Sequence, residues 1–130
     1  MKKLLLLFIF FCSCTDSNLN HITPLGAHSL VFHDQGFIID VRADSKYLEV
    51  PDKAYVISER DIVNNNPRWI KIYSENKNKR LILCCGEKEE FSTLLPYINK
   101  NQLKVFYLTD LEDWKEKGLH VDAPRKLAEE

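Results

Sequence analysis

LILCCGEKEEFS, residues 81–92, decides how this chain is read. Three apolar residues, Leu81 to Leu83, run into two adjacent cysteines, a glycine and four charged residues. A continuous apolar run bounded by turn signals is the pattern of a strand covered on both faces. Asn76 to Lys79 supplies the polar turn before it, and Gly86 the break after it. A buried strand that ends in cysteine and opens into a loop is a common way to present a thiolate. Glu87, Glu89 and Glu90 make this loop a poor place for an anion, with Lys88 as the nearby compensation.

The flanking sequence repeats the same alternation. Thr23-Pro24 is a good helix opening, and a short helix is predicted through Ala27 to Phe32. After a turn ending at Gly36, Phe37-Ile38-Ile39 is a compact apolar strand that stops at Asp40-Val41-Arg42. Ala54 to Ile57 reads as another strand, Glu59 to Asn64 as one or two helical turns, and Arg68 to Tyr73 as an amphipathic helix. Phe91, Leu94, Leu95 and Ile98 recur at helical spacing, with Pro96 predicted to kink that helix. Lys104 to Leu108 is a further strand, and Leu111 to Lys117 a helix closed by Gly118. Trp69 and Trp114, among apolar neighbours, are expected in the core. Apolar strands alternating with short helices predict an α/β fold with a parallel sheet flanked on both faces. Ligands of such sheets bind beyond the carboxyl ends of the strands, where Asp40-Val41-Arg42 and Cys84-Cys85 both lie.

The N-terminus is of another kind. In MKKLLLLFIFFCSC, Lys2 and Lys3 precede an unbroken apolar run from Leu4 to Phe11. A run of that length is far short of the roughly 20 residues a spanning helix needs, and it has the form of a signal peptide over residues 1–13. Ser13-Cys14 resembles the end of a bacterial lipoprotein signal, in which the cysteine becomes lipidated. Residues 14–21 then form a tether at the cell envelope, with plain secretion as the alternative. The folded domain is expected over 22–122, and a frayed tail over 123–130.

Of 18 lysines and arginines, two lie in the leader, leaving 16 against 19 acids, a net charge of −3. No basic stripe is present, so nucleic acid is excluded as a partner. With Cys14 lipidated, the thiols left beyond the leader are Cys84 and Cys85 alone. Neighbouring cysteines rarely bridge, because their Cα atoms stand about 3.8 Å apart, below the usual disulfide range. The four histidines show no metal spacing and are expected at the surface, and no metal site is predicted.

Four segments in this order resemble a rhodanese domain. FIIDVRADSKY (37–47) is similar to the family's strand followed by Asp-Val-Arg and a turn, and VPDKAYVIS (50–58) to its Ile-Pro-Gly segment. LILCCGEKEE (81–90) stands in the place of the strand and active-site loop, and VFYLTDLEDWKEKGLHV (105–121) in that of the closing strand, Trp-bearing helix and Gly-Leu-Pro-Val end. The resemblance covers residues 22 to 122. It implies a sulfurtransferase that takes sulfane sulfur onto a thiolate as a persulfide and passes it to a thiol or cyanide, without a cofactor. It also implies Cys85 or Cys84 as the nucleophile, Gly86, Glu87, Lys88, Glu89 and Glu90 as the substrate-binding loop, and Asp40 and Arg42 as support.

The family's loop carries an arginine where this chain has Glu90, counting from Cys85, or Glu89, counting from Cys84. In a rhodanese loop, inward backbone N–H groups and the following helix N-terminus lower the thiol pKa from about 8.5 towards neutrality. At an effective dielectric of about 20, one carboxylate roughly 6 Å away opposes this by about 3 kcal/mol before surface screening. Two readings of different class remain open. One is sulfur transfer from a small sulfur anion or persulfide; the other is a non-catalytic module whose acidic rim binds a basic protein partner. Gly86 suits the tight turn that opens the loop, which favours Cys85 over Cys84.

Overall fold

A computed structural model describes residues 18–42 and 49–122. The leader, Cys14, residues 43–48 and residues 123–130 lie outside the described residues. Among the described residues, seven strands and five α-helices follow one another. They are β1 (Leu19–His21), α1 (Pro24–Phe32), β2 (Gly36–Asp40), β3 (Val50–Pro51), β4 (Tyr55–Val56), α2 (Glu59–Val63) and α3 (Pro67–Glu75). Then come β5 (Arg80–Cys84), a 3₁₀ turn (Lys88–Phe91), α4 (Leu95–Lys100), β6 (Val105–Leu108), α5 (Leu111–Glu116) and β7 (Val121–Asp122).

Five strands form a parallel sheet in the order β1-β6-β5-β2-β4, and β3 and β7 pair antiparallel beside it. The alternation of side chains along each strand divides the core in two. Phe37, Ile39, Leu81, Leu83 and Val105 face a layer with Ile62, Trp69, Ile72 and Ile98 from α2, α3 and α4, and with Leu94 at the start of α4. Ile38, Ile82, Cys84 and Leu108 face Ala27 and Trp114 from α1 and α5. The apolar runs are continuous because both faces are covered. Trp69 and Trp114 are both 1% exposed, as expected of core residues.

Short polar side chains start the helices. Thr23, Ser58, Asn66 and Asp110 each accept a backbone N–H of the first turn, at 3.1, 3.1, 2.8 and 2.8 Å. Gly118, at φ +74°, ends α5 in the left-handed region that glycine favours. A Cβ on Gly36 would meet that of Leu30 at 2.8 Å, so α1 could not lie this close over β2 with a larger residue there.

Three features differ from the sequence reading. Leu19–His21, expected within the tether, pairs with β6 as an edge strand, and Leu19 is buried. The helix expected across Phe91 to Ile98 is instead a 3₁₀ turn followed by α4. Pro96 does not kink that helix but sits in its first turn, where the missing N–H needs no partner. The β3–β7 pair was not expected, since two-residue strands carry no periodic signal.

Candidate functional site

The register of the sheet brings four strand ends to one rim. Val56 lies beside Asp40, Asp40 beside Cys84, and Cys84 beside Leu108. The ladder continues one step further, with the Val41 N–H donating to the Cys84 carbonyl at 2.9 Å and the Gly86 N–H to that of Leu108 at 3.0 Å. The segment Cys84–Gly86 is therefore held by backbone bonds on both sides before the chain turns away.

At the end of β2, Asp40 is fully buried. Its carboxylate accepts from Arg42 Nε at 3.0 and 3.1 Å, from Nη2 at 2.6 Å and from the Arg42 backbone N–H at 3.1 Å. Arg42 Nη2 also donates to the Glu49 carbonyl at 2.7 Å. A buried carboxylate needs such bonding to stay charged at low cost. Arg42 thus sits at the rim with its charge locally neutralised.

At the end of β5 the two cysteines part company. Cys84 has no exposed surface and packs in the layer that holds Trp114, whereas Cys85 is half-buried. Their sulfurs are in contact, and the residues are joined by a cis peptide bond with Cα atoms 3.0 Å apart. Asp40 lies with both sulfurs in one group of potential ligands, and Asp52, His120 and Asp122 form a second near β7, each spanning no more than 4.8 Å. Histidine spacing in the sequence gave no sign of the second group, because the antiparallel β3–β7 pair assembles it.

A cavity of about 350 Å³ opens over Cys85. Val41 and Phe91 give it an apolar wall, and Arg42, Ser58, Glu59 and Glu90 line it with polar groups. Of the expected site residues the structure thus brings Cys85, Arg42 and Glu90 to one space, while Cys84 lies beneath it and Lys88 and Glu89 do not border it. Ser58 and Glu59 had drawn no functional reading from the sequence. Their place directly after β4 is the signal that could have found them, since they too lie beyond a strand's carboxyl end. Burial raises the Glu59 carboxyl above its ordinary range, and a hydrogen bond from Thr93 partly opposes this.

The loop after Cys85 turns its own groups inward. Glu90 folds back so that its Oε1 accepts the Glu87 N–H at 2.7 Å. A Cβ on Gly86 would come within 2.9 Å of the same oxygen, so glycine leaves the room this carboxylate occupies. The Gly86, Glu87 and Glu90 N–H groups all have acceptors within the protein. The segment following the loop is a four-residue 3₁₀ turn, a smaller dipole than the helix expected there.

No family model matches the sequence, and no curated protein matches it. Solved structures do resemble the fold. The polysulfide-sulfur transferase homodimer from Wolinella succinogenes superposes with a TM-score of 0.55 at 16% identity, over 93% of this chain and 90% of that one. The BH2092 protein from Bacillus halodurans gives 0.61 at 13%, over 90% and 84%. EanB, which has been solved in complex with hercynine, gives 0.58 at 17% over 80% of this chain; the chain spans only 27% of EanB's length. At such identities these likenesses show the fold alone. It is a rhodanese-like α/β fold, with a five-stranded parallel sheet between short helices.

Proposed function

We propose that this protein carries sulfane sulfur as a persulfide on Cys85. The observation that carries the reading is the cavity over Cys85, at the carboxyl end of a central parallel strand and beside Arg42. The fold shared with a polysulfide-sulfur transferase supports it. The cycle runs on the reduced thiols of Cys84 and Cys85. The Cys85 thiolate then attacks a sulfane sulfur of a polysulfide or persulfide. An S–S bond forms to Cys85, and the bond to the rest of the donor breaks, the donor leaving with the electron pair. An acceptor nucleophile, a thiolate or cyanide, next attacks the outer sulfur and returns Cys85 as a thiolate. Cys84, buried under the site, holds the strand end in place.

The inward bonding of the Gly86, Glu87 and Glu90 N–H groups favours a second reading, in which the rim binds a basic protein partner and transfers nothing. Thiocyanate formation from the persulfide of cysteamine and cyanide separates the two. Activity that falls to background in Cys85→Ser and persists in folded Cys84→Ser supports the carrier; no activity in the reduced wild type overturns it. We further propose that the chain works at the bacterial cell envelope, anchored through lipid on Cys14, with secretion as the alternative. Membrane association that persists in Cys14→Ala would sink the anchor.

A further inference from the structure

The polar groups around Cys85 carry an uneven charge. Glu59 and Glu90 both line the cavity. Among the described residues there, the one guanidinium, Arg42, already faces the buried Asp40 carboxylate through Nε and Nη2. Three loop N–H groups that could serve an oxyanion, those of Gly86, Glu87 and Glu90, have internal acceptors instead, Glu87 bonding Glu90 itself. An incoming anion would therefore meet two carboxylates and a loop with three of its amides already taken. The raised Glu59 carboxyl is a second sign that this cavity solvates negative charge poorly. Attraction and repulsion of this size act over several ångströms and weaken with salt.

We propose that the cavity over Cys85 selects sulfur carriers that are neutral or amine-bearing at the reacting end and turns away oxyanion donors such as thiosulfate, with Glu90 as the residue that sets the preference. This rests on the persulfide-carrier reading, and it names the substrate class of that site. Glu90 acts on the ligand by charge and by occupying the loop amide; it does not take part in bond making.

Alkylation of the reduced full chain tests the preference without requiring sulfur transfer. Iodoacetamide, iodoacetate and 2-bromoethylamine are neutral, anionic and cationic, and fragment mass spectrometry assigns the adduct to Cys85. Each rate is divided by that of the same reagent with a small free thiol. The normalised order expected is cationic, then neutral, then anionic, with iodoacetamide about tenfold ahead of iodoacetate. Glu90→Gln, at an exposed position that leaves the core untouched, narrows that gap about threefold, and high salt narrows it too. Normalised rates that are equal or favour iodoacetate, or a gap unmoved by Glu90→Gln, overturn the proposal. A parallel arm compares sulfur gain from thiosulfate and from the persulfide of cysteamine. Equal loading overturns the charge preference while leaving the carrier reading standing. Loading from neither donor overturns the carrier reading and, with it, the assignment of a sulfur substrate to this site.

Discussion

The ends of β2 and β5 lie side by side on one rim and handle charge in opposite ways. At the end of β2 a fully buried carboxylate is held by a guanidinium through three side-chain contacts, and the arrangement is closed. At the end of β5 an exposed carboxylate, Glu90, rests on a single backbone N–H of its own loop. The first is a structural pair that happens to border the cavity. The second is a weakly held group that a ligand, a neighbouring substitution or salt can move. A rim built this way keeps its frame while its chemistry stays adjustable.

The largest stability effect is accordingly expected at β2. Asp40→Ala removes a buried acceptor and strands Arg42, and should cost roughly 2 kcal/mol in urea unfolding, less than a fully buried pair because Arg42 keeps some exposure. Glu90→Ala should cost about 0.5 kcal/mol, the size of a weak cap at an exposed turn. Equal costs at the two positions would break the contrast. A finer test is Gly86→Ala, whose added Cβ would displace the flexible end of Glu90. It should cost about as much as Glu90→Ala, and little more in its background, so that a double-mutant cycle shows the two losses are one.

The smallest effect concerns pH. The Glu59 carboxyl is raised in the folded state from its ordinary 4.5, so the folded chain holds that proton more readily than the unfolded one. The group therefore favours the fold at low pH, and this contribution is lost as pH rises through the raised value. Glu59→Gln should melt slightly higher than wild type at pH 7, with the difference closing below pH 4.5. A difference that widens on acidification would contradict the assignment.

Much of this frame was legible in the sequence because continuous apolar strands leave little choice of fold. Phe37 to Ile39 and Leu81 to Leu83 fixed the parallel sheet, and the residues just after them marked the rim. Edge pieces were not legible. Leu19-Asn20-His21 offers one apolar side chain, and its strand exists because β6 supplies the partner. Nor could Glu90 be placed on the Glu87 N–H, since that contact depends on a 3₁₀ path where helical spacing pointed to a longer helix. Glu59 reached the cavity for a similar reason: its role comes from the position of β4 at the sheet edge, not from a motif.

The central claim, that Cys85 is the sulfur carrier, is tested most directly by intact mass. The reduced chain is exposed to the persulfide of cysteamine and weighed beside Cys84→Ser and Cys85→Ser. The account predicts a gain of one sulfur atom on the wild type and on Cys84→Ser, and none on Cys85→Ser. A folded, reduced wild type that gains no sulfur, or a gain that survives in Cys85→Ser and vanishes in Cys84→Ser, would contradict it.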